Sequence, residues 1–133
     1  MPSAFANTGD ILPFLNGGAI TANSMVKLDT TEGRVVAATA IADLPIGVAL
    51  DTGTSTAGAD QIRVQIKGIA KVRAGATITV GQELMVKASG TGELDVAAGA
   101  TANTVGKALQ AGASGETIAV LLVGPVGRNQ PNS

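Results

Sequence analysis

The sequence predicts an all-β fold: a small barrel-like, β-tulip-like domain made of two similar repeats, preceded by an extended N-terminal arm. Three observations carry this. Short apolar segments recur in the same order in both halves of the chain, glycine-containing turns separate them, and one segment alternates strictly between apolar and polar residues. Met25-Val26-Lys27 returns as Met85-Val86-Lys87, and Ile46-Gly47-Val48-Ala49-Leu50 as Val105-Gly106-Lys107-Ala108-Leu109. Gly33-Arg34-Val35 is echoed loosely from Gly92, and residues 62–68 match 118–124. Two copies, rather than three or more, favour one closed β domain over a solenoid.

In chain order, residues 1–17 carry both aromatics, Phe5 and Phe14, among prolines, asparagines and glycines with no sustained period. They read as an arm with Phe5, Ile11, Leu12, Phe14 and Leu15 as contact residues, because aromatic anchors dominate many interfaces. The β domain follows over 18–127, with repeats at about 18–74 and 75–127, and 128–133 form a polar, Pro-broken tail. Within the first repeat, Met25-Val26-Lys27-Leu28 leads through the turn Asp29-Thr30-Thr31-Glu32-Gly33 into Arg34-Val35-Val36-Ala37-Ala38. Pro45 closes a loop before Ile46-Gly47-Val48-Ala49-Leu50. Ile62, Val64 and Ile66 then share one face, and Arg63, Gln65 and Lys67 the wet one. In the second repeat those wet positions become Ala119, Leu121 and Val123, so that strand is apolar on both faces. Its second face is therefore either covered within the domain or buried against another subunit. The latter makes Ala119, Leu121 and Val123 the predicted homo-oligomer interface. Residues 97–102 suit at most a short helical turn, since Gly99 opposes a longer helix.

Composition narrows the function. The 133 residues fit one domain, but the chain has no Trp, Tyr, His or Cys. Everything after Phe14 must pack with Val, Ile, Leu, Met and many Ala, so oligomerisation or docking on a larger partner is expected. A net charge of −1 with scattered charges disfavours nucleic acid as a partner. The longest apolar run is too short to cross a bilayer, and no signal peptide is expected at the start. Without Cys or His, thiol catalysis and the usual metal sites are excluded, and neither cofactor nor metal is expected.

Leu50-Asp51-Thr52-Gly53-Thr54-Ser55 matches the Asp-Thr-Gly element of aspartic proteases, where two such acids share a proton and activate water. A retropepsin-like homodimer using Asp51-Thr52-Gly53 is thus the alternative function. Against it, the second repeat has Gln110-Ala111-Gly112 there, and Asp and Gly are default turn residues. Lys27 and Lys87 lie beside strand-forming residues rather than at the exposed turn of a biotinyl or lipoyl carrier. Asp29 with Glu32, and Glu93 with Asp95, lack the further oxygen donors of a calcium loop. Gly112-Ala113-Ser114-Gly115 lacks the Lys-Ser/Thr of a phosphate loop.

The ordered segments from Ala19-Ile20-Thr21 through Pro45-Ile46-Gly47-Val48-Ala49-Leu50 and Val64-Gln65-Ile66-Lys67-Gly68, with their second-half echoes, resemble the phage capsid decoration (cement) protein family over about residues 18–127. The resemblance implies a non-enzymatic structural protein on the outer surface of a tailed-phage head. It would be made in the host cytoplasm, bind the major capsid protein and clamp neighbouring capsid subunits. It further implies a homo-oligomer, trimer favoured and dimer possible, with no membrane or nucleic-acid partner and with chain termini making capsid contacts.

Overall fold

The computed structural model describes residues 10–40, 43–97 and 104–122. Ten strands succeed one another: β1 (Ile11–Asn16), β2 (Ser24–Leu28), β3 (Arg34–Ala37), β4 (Gly47–Ala49), β5 (Gln61–Gln65), β6 (Gly68–Arg73), β7 (Glu83–Val86), β8 (Leu94–Val96), β9 (Gly106–Ala108) and β10 (Thr117–Leu122). No helix occurs among the described residues, and the all-β class read from the sequence is the class observed. The first five strands form a closed barrel in the order β1-β3-β2-β4-β5, and the last five a sheet in the order β6-β10-β9-β7-β8.

The two sheets match strand for strand. Val26 faces Gly47 as Leu84 faces Gly106, and Val64 faces Ala49 as Val120 faces Ala108. Phe14 faces Ile62 as Val72 faces Ile118, and the isolated bridge Ile20–Gly53 returns as Ile78–Gly112. This register corrects the repeat boundaries. β1 falls inside the stretch read as an arm, and β6 inside the stretch given to the first repeat, so the units run from β1 to β5 and from β6 to β10. β1 is hard to see because Pro13 interrupts it and Ile11, Leu12, Phe14 and Leu15 are apolar on both faces. The Met-Val-Lys match is also out of step: Val26 corresponds to Leu84, not to Val86. A slip of two residues preserves which side chains point inward, so the sequence pattern tolerates it.

Glycine recurs at one pair of positions for a steric reason. A Cβ on Gly47 would overlap the Gln65 carbonyl oxygen, and one on Gly106 would sit 2.6 Å from Val120 Cγ1 and 2.8 Å from the Leu121 oxygen. The facing strand approaches too closely for any side chain.

The units differ at one seam. In the first, β1 pairs with β3 in parallel, and the Leu15 N–H donates to the Gly33 carbonyl at 2.9 Å. In the second, the matching groups are parted by the leading residues of β2. The Arg73 N–H donates to the Asn23 carbonyl (2.9 Å), and the Met25 N–H donates to the Gly92 carbonyl (2.8 Å). Beyond them the bridge Ala74–Leu94 joins the two sides directly. Through this opening Met25, Ala38 and Val48 of the first unit enter the core of the second, among Ala70, Val72, Leu84, Val86, Leu94, Ile118 and Val120. Fully burying a side chain such as Met25 or Val48 contributes roughly 1.5–3 kcal/mol, so the contact binds the halves into one body. The first unit keeps its own core of Ile20, Val26, Val35, Ala49, Ile62 and Val64, with Phe14, Ile46 and Ile66 packed against it. Arg73 reinforces the seam, donating from Nη2 to Ser24 Oγ (3.0 Å) and from Nη1 to Glu93 (3.3 Å). Burial pushes the Glu93 carboxyl up, but hydrogen bonds from the Thr91 and Glu93 backbones, the Arg73 charge and the Thr91 side chain together hold it below its usual value.

Candidate interaction surface

β1 carries three of the seven large exposed hydrophobics among the described residues, Ile11, Leu12 and Leu15. It pairs with β5 along its whole length but meets β3 only at Leu15 and Asn16, which leaves the edge over Ile11–Phe14 open. Alternation turns Phe14 and Asn16 inward, where Phe14 is half-buried on the barrel core and Asn16 fully buried. Ile11, Pro13 and Leu15 form an outward ridge and are exposed. Leu12 has inward parity but is exposed beyond the start of β3. The Asp10 carbonyl and Asn16 N–H bond toward β5, whereas the Leu15 N–H points to the β3 side. Pro13 shares that side with Leu15, so the open edge lacks an N–H at its centre. That blunts strand addition and leaves recognition to the side chains.

Of the predicted contact residues, the structure thus brings Ile11, Leu12 and Leu15 together on the surface and turns Phe14 into the barrel; Phe5 lies outside the described residues. Of the predicted oligomer residues, Leu121 is exposed between Ile69 and Lys107, and Val123 lies outside the described residues. Ala119 is corrected: it is fully buried, and its N–H donates to Gln110 Oε1 at 2.9 Å.

Asp51 is held by Arg63. Guanidinium Nη2 and Nε reach its two oxygens at 2.9 and 3.1 Å, and the Arg63 N–H donates at 2.9 Å. These hydrogen bonds, the side-chain ones foremost, hold the Asp51 carboxyl below its ordinary range. A proton-sharing aspartyl dyad requires the opposite environment for one of its acids. Thr52 Oγ1 accepts from the Ala22 N–H (3.2 Å), and Gly53 pairs with Ile20, so the motif is built as a strand-end turn. No cluster of three or more potential metal-ligating side chains occurs among the described residues.

Two polar residues escaped the sequence reading. Asn16 organises the loop over 51–60: its amide nitrogen donates to the carbonyls of Thr54 (2.7 Å), Thr56 (3.0 Å) and Gly18 (3.2 Å), and its oxygen accepts from the Asp60 N–H (2.9 Å). Gln65, expected on a wet face, is fully buried; its amide donates to the carbonyls of Lys67 (3.0 Å) and Ile69 (2.8 Å) where the chain crosses between units. An isolated Asn after an apolar run looks like a turn residue, and nothing in strict alternation reveals that a second unit covers Gln65.

The model of a phage cement protein family matches residues 6–124, which takes in β1 and both units. The chain belongs to that family. A capsid-associated structural role and a location on the phage virion capsid come with it. Among solved structures, the head fiber gp8.5 N base of bacteriophage phi29 is similar in fold, with a TM-score of 0.70 at 15% identity over 88% of this chain and 98% of that one. No curated protein matches the sequence.

Proposed function

We propose that this cement-family chain binds the outer surface of a tailed-phage head, contacts the major capsid protein and clamps neighbouring capsid subunits, without catalysis. The observation that carries the reading is the apolar ridge of Ile11, Pro13 and Leu15, displayed on a rigid barrel wall directly after the segment containing Phe5. Many copies each burying a modest apolar area stabilise a shell additively. The chain acts as a homo-oligomer, trimer favoured, with Leu121 in the self-contact. The Arg63 clamp on Asp51 supports the non-enzymatic reading over the protease.

Purified chain added to undecorated heads tests the capsid contact. Ile11→Asp and Leu15→Asp should each lower occupancy at limiting protein by about tenfold, equivalent to about 1.4 kcal/mol, with the fold retained. Wild-type occupancy by both variants would remove the ridge from the capsid contact.

A further inference from the structure

The contact between the two units is head-to-tail, because each uses a different face. The first unit contributes a donor face of Met25, Val48 and Gln65, and the second an acceptor slot walled by Ala70 and Val86. Each unit has the counterpart of both faces, so each chain retains one unused donor and one unused acceptor. Strand register identifies them. Leu12 corresponds to Ala70, both facing a valine of the last strand of their unit, and Leu28 corresponds to Val86. Met25, Val48 and Gln65 correspond to Glu83, Lys107 and Leu121, and Val80 stands where the first unit has Ala22.

Three of these buried positions are exposed leucines at the matching place in the other unit, whereas Met25 and Val48 become Glu83 and Lys107. Ala70 and Val86 are fully buried, whereas Leu12 is 43% and Leu28 58% exposed. Gln65 is fully buried, whereas Leu121 is 40% exposed; Val80, at the place of the half-buried Ala22, is 66% exposed. Ile11, Leu15 and Leu44 are the other large exposed hydrophobics among the described residues, and the first two lie on the outward face of β1, opposite in parity to Leu12.

We infer that a second copy of this chain occupies these faces: the second unit of one copy docks its Val80–Leu121 face on the Leu12–Leu28 face of the next, in the same head-to-tail sense as the seam. This deepens the homo-oligomer reading above and rests on it. The direct Leu15–Gly33 bond shuts the first unit's slot, so docking is on its rim rather than by strand insertion. Glu83 and Lys107, in place of Met25 and Val48, make the junction more polar than the seam and therefore reversible. Such heterologous contacts propagate until a ring closes.

Mixing of blocked variants tests the arrangement on the full chain, without heads. Sedimentation should show the wild type as a closed oligomer, three copies expected, and Leu12→Asp and Val80→Asp each as folded monomers. An equimolar mixture of the two should form a one-to-one dimer through the one intact junction. Leu28→Asp with Leu121→Asp provides a second pair with the same expected pattern. A wild type that stays monomeric, a variant that assembles like wild type, or mixtures of both pairs that remain monomeric would overturn the contact. Head occupancy is a separate reading: a monomer that still decorates heads overturns only the junction.

Discussion

Asn16 shows how much one buried amide can hold. Its side chain meets three carbonyls and one N–H of the same small region, and its own backbone adds bonds to Asp60 and Gly58. Asn16→Ala removes the side-chain partner of every one of these groups while leaving them folded inward. Loss of roughly 2–3 kcal/mol is expected, since a buried polar group left unpaired costs about 1–3 kcal/mol. Chemical denaturation of the variant measures it, and an unchanged midpoint would show that water satisfies the loop as well as Asn16 does. Arg63 and Asp51 give the contrasting case at the surface. Their geometry is bidentate, but solvent screens exposed pairs, so the clamp fixes a turn more than it stabilises the fold.

Among the elements, legibility followed side-chain alternation. β5 and the order of β2, β3 and β4 were readable because Ile62 and Val64, and the glycine at the start of β4, obey simple rules of face and approach. β1 was hidden: two adjacent apolar pairs around Pro13 erase the period of two, and only the barrel's closure shows where they point. The Met-Val-Lys repetition misled by two residues for the complementary reason, that even slips leave the pattern intact. Of the candidate surface, exposure at Leu121 was legible from the repeat comparison, whereas burial at Ala119 and Gln65 depends on neighbours distant in sequence. The glycines of β4 and β9 yield a test. Gly47→Ala drives its Cβ into the Gln65 carbonyl, while Gly106→Ala meets the Val120 methyl, which can rotate away, and the Leu121 carbonyl oxygen less closely, at 2.8 Å. The first should cost more than the second, about 3 kcal/mol against about 1–2 kcal/mol on the scale of overpacked cores. Equal losses in thermal unfolding would show that the two strand approaches are equally rigid.

At the scale of the whole molecule, duplication solves a problem of composition. A chain with two Phe, no Trp and no Tyr builds two small cores, and the first unit completes the second by lending it Met25, Ala38 and Val48. One stiff body results, with apolar side chains left bare on β1 and on the far side of the second unit. That is a suitable geometry for bracing a shell: rigidity within the chain, and adhesive surface at its margins. Cryo-electron microscopy of heads saturated with the purified chain examines this directly. The account predicts added density on the outside of the head, with β1 against capsid protein and each copy spanning neighbouring capsid subunits. Heads with no added density, or with copies seated inside the shell or on single subunits only, would contradict it.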